Sequence, residues 1–172
     1  MKKISLSSLL IFALSLTILS ACGGGSSSTT QPSGPTKAVI NIATTGTLGS
    51  GTMIGGITVT GVLPAGVTVK ATPDPQNRLV LVTDSGVVIA SGVTGANASA
   101  PCSSYNATDR KVTIHLVDPD GFGTGKFVAV NCDIASGTTP TAGGFSITDF
   151  KPKDLGGADI SGLTPGFTVD IH

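Results

Sequence analysis

The chain is expected to fold as an all-β protein, an antiparallel β-sandwich of about eight or nine strands. Three observations carry that expectation. From Lys37 onward, apolar and polar residues alternate with a period of two in one short run after another. No segment of that stretch sustains the 3.6-residue apolar period of a packed helix. Turn residues separate the runs, with 24 Gly and 10 Pro in 172 residues and ten acidic side chains, all of them Asp. Few helix formers and many Gly, Thr and Val favour strands and turns.

The strands are justified in order. Residues 38–42 alternate, with Ile40 and Ile42 on one face. Residues 46–56 (GTLGSGTMIGG) read as a loop or bulge. Residues 57–60 and 67–70 alternate again, Val or Ile inside and Thr or Lys outside, around a turn at Leu63-Pro64-Ala65-Gly66. Residues 79–82 and 87–90 flank Asp84-Ser85-Gly86, a hairpin signal. In residues 111–117 Val112, Ile114 and Leu116 point inward, Thr113 and His115 outward. Residues 127–134 put Val128, Val130, Cys132 and Ile134 on one face, and residues 145–150 and 167–171 supply two more strands.

The N-terminus has its own organisation. Lys2 and Lys3 precede a largely apolar run from Leu9 to Leu19, too short to span a bilayer and readable as a removable export signal. Leu19-Ser20-Ala21-Cys22 then resembles the lipobox of bacterial lipoproteins. The resemblance implies cleavage before Cys22, lipidation of its thiol, and a membrane partner reached through acyl chains. Each buried CH₂ contributes about 0.8 kcal/mol, so several chains anchor durably. Gly23 stands where lipoproteins kept at the inner membrane often have Asp, which implies sorting to the outer membrane. The expected organisation is a signal peptide at 1–21, a lipidated Cys22 with a Gly/Ser-rich tether at 22–36, and a sandwich domain at 37–172. The tether has a mean span of roughly 20 Å.

Removing 21 of 172 residues leaves 151, enough for one domain with its own core. Lys2 and Lys3 go with the signal, so eight Lys and Arg face ten Asp, a net charge of −2. Sparse, scattered charge excludes a nucleic-acid partner, which needs a clustered basic face. With Cys22 taken by lipid, Cys102 and Cys132 form an even pair in an oxidising compartment and are the disulfide candidate. That bridge would close a loop of about 30 residues and stabilise the fold by about 3–4 kcal/mol. The alternative is a buried free Cys132 and an unpaired Cys102 in a loop.

The second half carries a further resemblance. Val112-x-Ile114-x-Leu116 is followed by Gly125-x-Phe127-x-x-Val130-x-Cys132-x-Ile134, then Gly137, Phe145-x-Ile147 and a late turn at Asp154-Leu155-Gly156-Gly157-Ala158-Asp159-Ile160. This order resembles the rear half of a cohesin domain, over residues 108–172 and more loosely 37–75. The resemblance implies a jelly-roll sandwich of the cohesin/carbohydrate-binding-module group and a binding or scaffolding role.

Candidate chemistry is sparse. His115 is the one histidine before the terminal His172, points outward, and has no nucleophile motif around it. With no Glu, a glycosidase would need two Asp, and most Asp fall in Pro/Gly turns where they cap the backbone. Gly121–Lys126 (GFGTGK) imitates a phosphate loop, but a strand rather than a helix follows Lys126. Asp118 and Asp120 in Asp-Pro-Asp-Gly are the metal candidate. Calcium needs six to eight oxygen ligands, and an Asp-capped turn is the default reading. Asp74, Asp133 or Asp154 could complete such a site only through folding. Tyr105, in a polar loop, is the candidate ligand-binding anchor.

The expected function is a non-catalytic, cohesin-like binding or scaffolding module, tethered in the cell envelope and meeting a protein or a polysaccharide. The alternative is a carbohydrate-binding module proper, which usually shows a strip of Trp or Tyr; this chain has no Trp and one Tyr. A hydrolase comes last. No cofactor is expected beyond the lipid on Cys22, with calcium as the alternative at the Asp pair.

Overall fold

The structure, a computed structural model, describes residues 34–72, 80–82 and 86–172. The signal segment, Cys22 and the tether up to residue 33 lie outside the described residues, as do Asp74, Leu79, Asp84 and Ser85. Ten strands and one short 3-10 turn make up the regular structure among the described residues: β1 (Lys37–Gly46), β2 (Ile54–Val62), β3 (Val67–Thr68), β4 (Val80–Leu81), β5 (Val88–Ala90), β6 (Ser104–Asn106), β7 (Lys111–Phe122), β8 (Gly125–Ile134), β9 (Ser146–Asp154) and β10 (Leu163–Ile171).

The strands form two antiparallel sheets, as the alternation predicts. One runs β10-β1-β8, with β3 and β5 both pairing the far side of β8. The other runs β4-β6-β7-β2-β9. Period-two patterning assigns the faces. Ala38, Ile40 and Ile42 of β1 and Val128, Val130 and Cys132 of β8 are buried from one sheet, and Ile57 and Val59 of β2 and Val112, Ile114 and Leu116 of β7 from the other. At about 25 cal/mol per Å² of apolar surface, this shared layer is the main stabilising term.

Both sheets run between the same two ends. At one end Lys37 pairs with Asp133 and His172, and Val62 with Lys111. The loop from Val62 to Val67 joins the sheets there, its Leu63 tied to Arg110 by two hydrogen bonds. At the other end Gly46 meets Leu163, Thr44 meets Gly125, and Ile54 meets both Phe122 and Asp154. The link from Phe122 to Gly125 crosses between sheets at that end, and the Phe122 and Phe127 rings pack over it with centroids 6.2 Å apart. Nine steps along β1 at about 3.3 Å each separate the two ends by about 30 Å.

One local expectation is corrected and another is placed. The segments around Asp84-Ser85-Gly86 do not form a hairpin, because β4 pairs β6 in one sheet and β5 pairs β8 in the other. Asp118-Pro119-Asp120-Gly121 keeps the expected Asp cap, Asp118 Oδ1 accepting from the Asp120 amide at 3.1 Å, and lies within β7 as an excursion. Val117 pairs Gly56 and Phe122 pairs Ile54, so four residues of β7 oppose the single Gly55. Gly121, with φ of 73°, supplies the left-handed backbone that turns the chain back into register. A smaller bulge in β8 inserts Phe127 between the partners of Ile42 and Ala43, which lets Phe127 and Val128 both reach the core.

Candidate functional site

At the distorted end of the β7-β2-β9 sheet the described residues form a concave surface. On the outer face, pairing places Lys151, Thr58 and His115 in one row and Lys153, Gly56 and Val117 in the next. Gly56 has no side chain, so the second row is a trough between Val117 and Lys153. The bulge at Gly55 deepens it. A Cβ on Gly55 would lie 2.8 Å from the Asp154 carbonyl oxygen and from the Leu155 Cα, so only glycine allows β9 to approach this closely. The result is an open groove of about 570 Å³ with Gly55 and Gly56 in its floor and Val117, Pro119 and Leu155 along its walls.

The walls are held by local hydrogen bonding. Asp154 Oδ1 accepts hydrogen bonds from the Gly156 and Ala158 amides at 2.9 and 2.8 Å, and this capped turn presents Leu155. Lys153 Nζ pairs with Asp159 at 2.8 Å beside it. Leu155 is 55% exposed and Val117 49%. Met53, also exposed, meets Leu155 over Gly121, where an added Cβ would lie 2.9 Å from Met53 Cβ and 3.4 Å from Leu155 Cδ1. Sequence reasoning did not single out these residues. One signal was readable: Val117 falls in the outward phase set by Thr113 and His115, where an apolar residue has no core to enter.

The residues singled out from sequence take different places. His115 is exposed as expected, and its Nδ1 shares a 3.1 Å hydrogen bond with Thr58 Oγ1. Its hydrogen-bond partner is thus a hydroxyl, with no carboxylate to orient it as a base. Asp118 is fully buried. Its Oδ2 accepts from the Gly95 amide at 2.8 Å and its Oδ1 from the Asp120 amide at 3.1 Å, while Asp120 Oδ2 accepts from Asn97 Nδ2 at 2.7 Å. The two carboxylates clamp the loop at Gly95–Asn97 to the β7 excursion. Among the described residues no third His, Cys or Asp joins them in a metal-binding group. Asp154 serves its own turn, and Asp133 pairs Lys37 at the opposite end.

Tyr105 is corrected from an exposed anchor to a core residue. It lies on β6 opposite Val112, whose side chain enters the core, and only 5% of it is exposed. Burial raises its phenol pKa above 10.0. The disulfide is corrected too: both thiols are free, Cys102 on the surface and Cys132 buried in β8. Cys102 precedes β6 in the opposite sheet, so the alternation that buries Cys132 does not bring its partner to it. Burial first, then the neighbouring Asp133 charge, pushes the Cys132 thiol up to about 12. Each of the five Phe after the signal is buried or packed against the core, so among the described residues no aromatic platform faces outward. Gly121–Lys126 runs from one strand into another and has no helix to cradle a phosphate.

Comparison with protein-family models, with curated proteins and with solved structures found no match to this chain.

Proposed function

We propose that the chain is a lipid-anchored, non-catalytic binding module of the bacterial cell envelope, cohesin-like in organisation, whose partner is a protein. One observation carries the reading: the N-terminal segment enters the sandwich at Lys37, and the apolar groove lies on the outer face of the other sheet, toward the end away from Lys37. A lipid on Cys22 and the Gly/Ser-rich tether would hold the Lys37 end toward a membrane and leave the groove facing outward. The groove lining includes Thr58 and His115, whose Oγ1 and Nδ1 share a 3.1 Å hydrogen bond, but among the described residues no carboxylate orients this histidine and no pair of accessible carboxylates stands beside it, which supports binding over catalysis. The alternative of sugar binding loses support from the burial of Tyr105, Phe122, Phe127 and Phe145 and the partial burial of Phe150 and Phe167 against the core, since stacking on sugars needs exposed aromatic faces.

Retention experiments test this reading. The immobilised full chain is offered envelope and culture extracts beside a polysaccharide panel. Saturable retention of one protein agrees with it. Retention of a glycan alone would replace it with the sugar-binding alternative, and silence in both arms would refute a binding role.

A further inference from the structure

We propose that the free edge of β10, at residues 167–171, pairs with the same strand of a second copy of this chain. The inference goes beyond the protein-binding reading and stands without it. Backbone chemistry is the first observation. Lys37 and His172 exchange two backbone hydrogen bonds, at 2.8 and 3.0 Å, and the β1–β10 register from Ala38 and Ile171 to Gly46 and Leu163 is unbroken. Antiparallel ladders bond at every second residue, so Thr168 and Asp170 turn their backbone groups toward β1. Phe167, Val169 and Ile171 turn theirs the other way, to the side where no described strand pairs β10. Three N–H and three C=O groups at alternate residues of one edge are complementary to another extended chain.

The second observation is that the other edges are blunted and this one is not. β9 is bent at Asp149, whose φ is 49°, and the returning chain covers its last residues. There Ile160 donates to the Pro152 carbonyl at 3.1 Å and Asp154 to the Ala158 carbonyl at 2.9 Å. β3, β4 and β5 offer two or three residues each. Pro165 guards the first half of β10, because it holds an outward position and has no N–H. Residues 167–171 (FTVDI) carry no proline, lysine or bulge. The strand's own sequence selects the occupant. A two-fold axis at Val169 sets Phe167 opposite Ile171 of the second copy and Val169 opposite itself, on the core side, where all three are partly buried. Thr168 then stands opposite Asp170 on the outer side. All six outward groups find partners, Pro165 lies beyond the overlap, and no like charges face each other. Asp170, the one charged side chain of the segment, accepts from Asn41 Nδ2 at 2.9 Å. The axis lies about 10 Å along the strand from the residue paired with Lys37. Both N-terminal segments therefore leave near the middle of the dimer, compatible with anchoring in one membrane.

The test uses the full chain with detergent micelles in excess, dilute and concentrated, and reads amide hydrogen exchange residue by residue. Thr168 and Asp170 are expected to be protected at every concentration. Phe167, Val169 and Ile171 are expected to exchange freely when dilute and about tenfold more slowly once sedimentation detects a dimer. Two substitutions at the exposed Thr168 separate pairing from folding. Thr168→Asp sets like charges opposite each other twice and is expected to weaken the dimer about tenfold at low salt. Thr168→Lys, facing Asp170, is expected to tighten it, and neither should move the thermal midpoint of the dilute chain. A chain that stays monomeric when concentrated would overturn the proposal, as would a dimer indifferent to both substitutions. Protection of the three outward amides that ignores concentration would assign the edge to this chain's own residues. Protection gained only on adding an envelope extract would assign it to another protein. Either result would overturn the pairing of two copies.

Discussion

Asp118 Oδ2 accepts a 2.8 Å hydrogen bond from the Gly95 amide, although 23 residues separate them and Asp118 has no exposed surface. The contact explains why β7 departs from its ladder. By stepping out of register opposite Gly55, the chain turns a carboxylate inward to hold the Gly95–Asn97 loop, and the same departure leaves Val117 and Leu155 bordering a groove. Asp118→Ala would strand the Gly95 and Asp120 amides. A loss of about 2–4 kcal/mol is expected, read as a lower urea midpoint with faster hydrogen exchange at those two amides. An unchanged midpoint would mean the loop is held by other contacts.

Tyr105 gives a prediction opposite in kind to a binding role. Tyr105→Ala removes a buried ring from the layer beside Val112 and is expected to cost about 3–5 kcal/mol. Tyr105→Phe keeps the packing and should cost far less. Calorimetry on the two variants separates a core residue from a surface anchor, whose loss would leave the melting temperature in place.

The two thiols should differ sharply. Under native conditions a thiol reagent is expected to modify Cys102 and leave Cys132 untouched, with the second equivalent released on unfolding. A native chain with no titratable thiol outside Cys22 would restore the disulfide.

Alkaline pH should unmask Cys132. Its folded pKa of about 12 lies above the unfolded value of 9.0, so a raised pKa favours the protonated, folded state. That contribution is complete below about pH 9 and is lost as pH rises toward 12, with a limiting slope of about 1.4 kcal/mol per pH unit. Tyr105, also raised, adds in the same direction at the top of this range. Urea midpoints between pH 8 and 11 should fall more steeply for the unaltered chain than for Cys132→Ala. Equal slopes would show that the thiol is not the group responsible.

The legible part of this molecule was whatever a period of two encodes. Val112, Ile114 and Leu116 against Thr113 and His115 fixed the faces of β7, and Val128, Val130, Cys132 and Ile134 those of β8, because one slip would have exposed every apolar side chain. What alternation cannot encode is which sheet a strand joins. Residues 79–82 and 87–90 read as hairpin partners, yet β4 and β5 pair different neighbours, because that choice is made by long-range packing. The Asp-Pro-Asp-Gly run shows a related limit: its Asp-capped turn is legible, while its use as a bulge inside a strand is not. Tyr105 shows the limit of local polarity, since its Ser and Asn neighbours suggested a loop while its own position in β6 faces the core. The groove is not legible in the sequence because its floor is two glycines of β2 and its walls come from β7 and the turn after β9.

Lipidation has its own test. Cys22→Ser is expected to abolish incorporation of labelled palmitate and to move the protein from the membrane to the soluble fraction, with its urea midpoint unchanged. Membrane retention and labelling that persist in this variant would contradict the anchor.

The most direct test of the whole account places a photo-crosslinking residue in the full chain in intact cells, once in place of Leu155 and once in place of Lys111 at the tether end. The account predicts a discrete protein adduct from position 155 and none from position 111. An adduct confined to position 111, or none from either, would contradict a binding surface at the end of the sandwich opposite its tether.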